Sequence, residues 1–166
     1  MVVARRIARA VTAVVISGVV SVASAVTVSQ PALAADGCSG KLLQTRNMKD
    51  NGGRVIAKLH LYWDGTRNCA VLRATSASVA TKKTMSVTLL TCARSAKGKR
   101  TCDPRIGRAY DGGQFTYYAG PVRLNGVNKC VAASGTFRKV RNPAIRPPEA
   151  HPQYTVATSP YVGHCG

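Results

Sequence analysis

The sequence predicts an all-β fold, a small antiparallel sandwich or open barrel of about seven strands braced by disulfides. Three observations lead there. Apolar residues recur at every second position in several runs, most clearly Val55-Ile56-Ala57-Lys58-Leu59-His60-Leu61-Tyr62-Trp63; a period of two marks a pleated strand with one buried face. Turn chemistry such as Asp64-Gly65, Asp111-Gly112-Gly113 and Asn125-Gly126 punctuates these runs at short intervals, and no segment carries apolar residues at helical spacing. Six cysteines, Cys38, Cys69, Cys92, Cys102, Cys130 and Cys165, all follow a leader-like segment.

That segment, residues 1–34, reads as a cleaved secretory signal peptide. Arg5, Arg6 and Arg9 form a basic start, Val11 to Val22 an apolar run, and Pro31-Ala32-Leu33-Ala34 a small-residue site with cleavage expected after Ala34. The stretch from Val11 to Val28 comes close to membrane-spanning length, but the small residues at its end favour cleavage over anchoring. No transmembrane segment is expected after cleavage. Residues 35–166 have the length of a single β-domain, with room to bury about two thirds of the unfolded surface.

An even number of cysteines in an exported chain reads as three disulfides. There is no C-x-x-C and no Cys/His group with zinc spacing, so neither a structural metal nor a cofactor is expected. Cys92 and Cys102 bracket a polar loop, ARSAKGKRT, and form the simplest pair. If successive strands pair as a meander, Cys38 joins Cys69 and Cys130 joins Cys165. The rival scheme is Cys38–Cys165 with Cys69–Cys130.

The elements follow in order. Lys41 to Met48 is a weak first strand. In Val55–Trp63 the set Val55, Ala57, Leu59, Leu61 and Trp63 faces inward, and Ile56, Lys58, His60 and Tyr62 mostly face water. Cys69 to Thr75 returns as a hairpin partner. Thr84 to Cys92 puts Met85, Val87 and Leu89 on one face and Leu90 on the other. Asp111-Gly112-Gly113 breaks the chain. Phe115 to Leu124, FTYYAGPVRL, is an edge or bulged strand, because Pro121 has no N–H to give a ladder; alternation turns Phe115, Tyr117 and Ala119 toward the core and leaves Tyr118 as the surface residue. Cys130 to Val140 is the next strand, and Tyr154 to Val162 a weak last one. Between them Pro143, Pro147, Pro148 and Pro152 make residues 142–152 an extended surface loop.

The run GGQFTYYAGPVRLNGVNKCV resembles the signature of the small secreted spore-associated protein A group of filamentous actinobacteria. In that group a G-x-Y-x-x-Y-A-G-P-V run precedes a short turn and a cysteine strand. Gly37-Cys38, Asn68-Cys69 and His164-Cys165-Gly166 extend the likeness over most of residues 36–166. The chain departs from the group in its added Cys92/Cys102 pair and its stronger basicity. The resemblance implies a secreted, non-enzymatic protein of spore surfaces or culture fluid, and it supplies no molecular activity.

Charge is the most extreme feature. The chain has 24 Lys and Arg against 6 Asp and Glu, a formal +18, which falls to +15 without the three leader arginines. Such a field attracts polyanions, whether wall teichoic acid, acidic polysaccharide, nucleic acid or anionic lipid; the plain alternative is that charge keeps an exported protein soluble. Catalytic chemistry is thinly provided for. Glu149 is the one glutamate; Asp64, Asp103 and Asp111 sit in turn contexts, Asp36 near the expected mature start. No paired carboxylates, no nucleophile elbow and no metalloprotease or phosphate-loop motif occurs.

The expectation is therefore a non-catalytic, secreted surface- or spore-associated protein that binds an anionic cell-wall or spore-surface polymer, with nucleic acid as a further possible partner. Its anion-facing residues would be Arg94, Lys97, Lys99 and Arg100 on the cystine loop, and Arg138, Lys139 and Arg141 after the last long strand. Two alternatives stand beside it. A protease inhibitor would present the Cys92–Cys102 loop to a trypsin-like pocket. A small ribonuclease would gather Glu149, His151 and His164 beside Arg138, Lys139 and Arg141.

Overall fold

Eight strands form two four-stranded antiparallel sheets packed face to face, in a computed structural model that describes residues 37–78, 82–139, 152–158 and 162–165. The strands are β1 (Lys41–Lys49), β2 (Val55–Trp63), β3 (Arg67–Ala74), β4 (Lys83–Cys92), β5 (Arg105–Phe115), β6 (Tyr118–Asn125), β7 (Cys130–Lys139) and β8 (Gln153–Ala157). The first sheet has the order β1-β2-β3-β6 and the second β5-β4-β7-β8. The expected leader, Arg141 and most of the proline-rich loop lie outside the described residues.

Alternation builds the core as the sequence implies. Ala57, Leu59 and Leu61 of β2 meet Met85, Val87 and Leu89 of β4, with Leu72, Ala133 and Phe137 closing the layer. Ile56 departs from its expected outward place and is buried in the same cluster, at the end of β2 where Thr75 N–H and Ser78 Oγ donate to its carbonyl.

The eighth strand is the main correction. Asp111-Gly112-Gly113 does not break the chain; it lies inside β5, paired with Val87, Ser86 and Met85 of β4. The inward positions of β5 are Gly107, Ala109, Asp111, Gly113 and Phe115, and with only the last of them a large apolar residue there is no apolar alternation to read. The smallness is required: a Cβ on Gly107 would stand 2.8 Å from Thr91 Oγ1.

FTYYAGPVRL is also not one strand. Phe115 ends β5 in one sheet, Thr116 and Tyr117 turn, and Tyr118 begins β6 in the other. Tyr117, expected in the core, is 62% exposed at this corner. Three bonds hold it. Lys83 is fully buried and its Nζ donates to Thr116 O at 2.6 Å. Gly120 N–H donates to Asp111 Oδ2 at 2.6 Å, and Ala74 N–H to Tyr117 O at 2.8 Å. β6 is an edge strand, and its pairing with β3 shifts register between Ala70 and Leu72, opposite Ala119 to Val122. Pro121 is thus placed at an edge and at an irregularity, where its missing N–H is tolerated.

The three disulfides are Cys38–Cys69, Cys92–Cys102 and Cys130–Cys165. The first follows from the β1-β2-β3 meander, which brings the start of β1 and the start of β3 to one end of the sheet. The last ties the start of β7 to the segment after β8, where Val131 and Gly163 bridge. β8 itself is shorter than expected and stops at Ala157.

Candidate functional site

The cystine loop is built as a rigid platform for cations. Arg94–Ala96 forms a single 3₁₀ turn, with Ala96 N–H donating to Ala93 O and Lys97 N–H to Arg94 O. Val162 then acts as a strap: its N–H donates to Lys99 O at 2.8 Å and its carbonyl accepts from Gly98 N–H at 3.0 Å. Beneath the loop Ala96, Cys92, Cys130 and Val162 are buried as a second small core, with Leu90 and Ala132 packed against it. The side chains of Arg94, Lys97, Lys99 and Arg100 are exposed above it.

Two further cations, missed at the sequence level, join this end. Arg105 pairs with Cys92 and Arg108 with Leu90 across the β4–β5 ladder, and both are exposed. They could not be found from the sequence because β5 itself was not legible. Arg108 stands with its guanidinium carbon 5.4 Å from the ring centroid of Tyr110.

The second expected cluster is placed differently. Arg138 pairs with Thr84, and Lys139 with Lys83, at the far end of β4 and β7. Arg138 and the loop therefore share the outer side of one sheet but not one spot: eight residues of β7 separate Cys130 from Arg138, about 27 Å at ordinary strand rise. Arg138 also donates to Gln153 Oε1 at 2.9 Å. Arg141 lies outside the described residues.

Between the two ends the outer face is open and hydroxyl-bearing. Its cross-strand rows are Tyr110-Thr88-Ser134, Gly112-Ser86-Thr136-Thr155 and Gln114-Thr84-Arg138-Gln153. Ser86 and Thr136 share a hydrogen bond of 2.6 Å, and Gln114 Nε2 donates to Thr84 Oγ1 at 3.0 Å. No carboxylate stands in these rows.

The described carboxylates are mostly engaged elsewhere. Asp50 accepts from the Gly52 and Arg54 N–H groups and pairs with the Arg54 guanidinium at 2.9 Å. Asp64 accepts from Thr66 and Arg67 N–H and pairs with Arg67 at 3.4 Å. Backbone N–H donation is the main reason both carboxyls sit below the usual aspartate range. Asp111 is tied to the β6 corner, as above; Asp103 is exposed beside Cys102. Among the described residues these are two ion pairs against many cations.

The ribonuclease grouping is not assembled by the described residues. His164 follows β8 beside Cys165, where its Nε2 meets Gln44 Oε1 of β1 at 2.9 Å, and burial lowers its pKa from the ordinary histidine value. Cys165 is bonded to Cys130, so His164 lies at the end of β7 opposite Arg138. Glu149 and His151 lie outside the described residues. His60, in β2, meets Thr45 Oγ1 through Nδ1 at 3.0 Å, on the other sheet. No group of three or more His, Cys, Asp or Glu that could hold a metal occurs among the described residues.

The other sheet uses its outer side differently. Cys38, Cys69 and Val71 are buried there with Tyr62 packed against them, because the segment at Gly37–Cys38 lies across the strands. Arg123 donates to Gly37 O, and a Cβ on Gly37 would stand 3.4 Å from Pro121 Cγ. Lys58 and Arg73 pair across β2 and β3 beside this cover.

No protein-family model, no curated protein and no solved structure matches the chain. Among the described residues no helix is long and apolar enough to cross a membrane.

Proposed function

We propose that this is a secreted, non-catalytic surface protein that binds an anionic extracellular polymer through the outer face of the β5-β4-β7-β8 sheet. The observation that carries the reading is the cystine loop. Arg94, Lys97, Lys99 and Arg100 are exposed on a backbone fixed by Cys92–Cys102 and by the Val162 strap, with Arg105 and Arg108 beside them. A backbone already fixed adds no ordering cost of its own when the cations it carries meet phosphate or carboxylate groups, which favours association. Three disulfides and the leader-like start support export. The resemblance to the spore-associated protein A group supports a place on a cell or spore surface.

The inhibitor reading draws less support. A protease cleft receives an extended segment that adds as a strand, whereas Arg94–Ala96 is wound in a 3₁₀ turn.

The test is elution of the purified protein from a polyanion matrix at graded salt. The expected result is a linear fall of log affinity with log salt and a slope of several units, as counterions are released. A retention that ignores salt would remove the reading, and so would a protein that fails to bind at 50 mM salt.

A further inference from the structure

The open face between the two cation groups carries an aromatic ring whose placement the charge reading does not explain. Tyr110 is 57% exposed and points along β5 over Gly112. A Cβ on Gly112 would stand 2.0 Å from the Tyr110 hydroxyl. Gly112 has a backbone any residue can adopt, so its bareness serves the ring: the tyrosine lies down along the sheet only because nothing projects beneath it. Thr88 and Ser134 continue the row beside Tyr110, and Gln114 and Thr84 stand beyond Gly112.

We infer that Tyr110 over Gly112 is a stacking platform for a sugar ring, so that the anionic polymer taken by this face is an acidic polysaccharide. The inference rests on the polyanion reading above and narrows its ligand. An exposed aromatic face is matched by the C–H-bearing face of a pyranose, with the phenol supplying an apolar body and a polar tip. Hydroxyl and amide side chains around it are donors and acceptors suited to sugar hydroxyls. Arg108 lies over the ring with its guanidinium carbon 5.4 Å from the centroid, so a sugar seated there displaces it to the rim, where it can pair with the sugar's carboxylate. The loop cations and Arg138 lie at the two ends of the same strip, a charge pattern complementary to an extended acidic chain laid along the strands rather than to a single small anion. A phosphate backbone without rings would use the cations and leave Tyr110 idle.

The experiment measures binding of the full mature protein to polygalacturonate, to inorganic polyphosphate and to poly(U), at one salt concentration. Three variants are compared with the unaltered protein: Tyr110→Ala, Tyr110→Phe and Gly112→Ala. Tyr110→Ala is expected to weaken polygalacturonate about tenfold, the usual scale for truncating a central tyrosine contact, and to change polyphosphate by less than twofold. Gly112→Ala should imitate it by lifting the ring while leaving the side chain present, and Tyr110→Phe should bind like the unaltered protein. Both sites are on the exposed side of an edge strand, and an unchanged Tm is the control for folding. Equal losses on polygalacturonate and polyphosphate, or no loss on either, would overturn the platform and leave the charge reading standing. A larger loss on poly(U) than on polygalacturonate would assign the ring to base stacking and overturn it too. Failure of the unaltered protein to bind any of the three polymers would remove both readings together.

Discussion

On the outer side of the β1-β2-β3-β6 sheet, the chain covers one end of its own strands: the segment at Gly37–Cys38 packs with Val71 and is bolted to β3 by Cys38–Cys69. On the outer side of the β5-β4-β7-β8 sheet, the cystine loop and the Val162–Cys165 segment cover only one end. The rest presents hydroxyls, amides and one flat tyrosine. Both sheets need their inner faces for the common core. The difference lies in what the outer faces are spared for. Where the strap is the short Gly37–Cys38 segment, it carries no cation and serves stability. Where the strap is the cystine loop, it raises Arg94, Lys97, Lys99 and Arg100 above a strip that stays open.

The largest expected effect breaks the covered side. Replacing Cys38 and Cys69 by serine removes a bridge spanning 31 residues, worth about 3–4 kcal/mol by its restriction of the unfolded chain. Thermal unfolding should move down by roughly 10 °C or more, while polyanion binding below that transition should be unchanged. Loss of binding in the folded double variant would show that the two faces are not independent. Next in size is the joint between the sheets. Asp111→Ala leaves the Gly120 N–H without its acceptor and should lower stability by about 1–3 kcal/mol in urea unfolding; an unchanged midpoint would contradict the role given to that bond.

Charge reversal sharpens the same contrast. Lys97→Glu with Lys99→Glu on the loop should weaken polyanion binding more than tenfold at low salt and lower the salt slope by one to two units. Lys58→Glu with Arg73→Glu, the matching change on the covered side, should weaken it far less. Equal losses would mean that net charge alone governs binding. The smallest effect concerns His164. Burial lowers its folded-state pKa below the unfolded value, so the unfolded chain binds the proton more tightly and stability declines as pH falls below about 6.5 toward the folded pKa. His164→Gln should flatten that part of the Tm profile slightly; a profile unchanged by the substitution would sink the assignment.

Much of the frame was legible from alternation and turns, and the meander argument led to the Cys38–Cys69 and Cys130–Cys165 pairs the structure contains. β5 was not legible. Before Phe115 its inward residues are short, with Thr91 and the β6 corner pressing close, and its outward residues are mostly polar because they face solvent, so neither face carries an apolar period. The same blindness hid Arg105, Arg108 and Tyr110, and with them the middle of the candidate face. The loop cations could be read from their cystine bracket. That Arg138 shares their sheet face, but stands a strand's length away, depended on the antiparallel register of β4 with β7, which local sequence does not specify. Tyr117 was misplaced because alternation was carried through a corner where the chain changes sheets.

The most direct test of the account is a backbone amide NMR titration of the mature protein with polygalacturonate. The account predicts shifts concentrated in residues 94–100, along β5 from Arg105 to Gln114, and at the outward positions of β4 and β7, with β1, β2 and β3 quiet. Shifts centred on Lys58, Arg73 and Arg123, or spread evenly over both sheets, would contradict it.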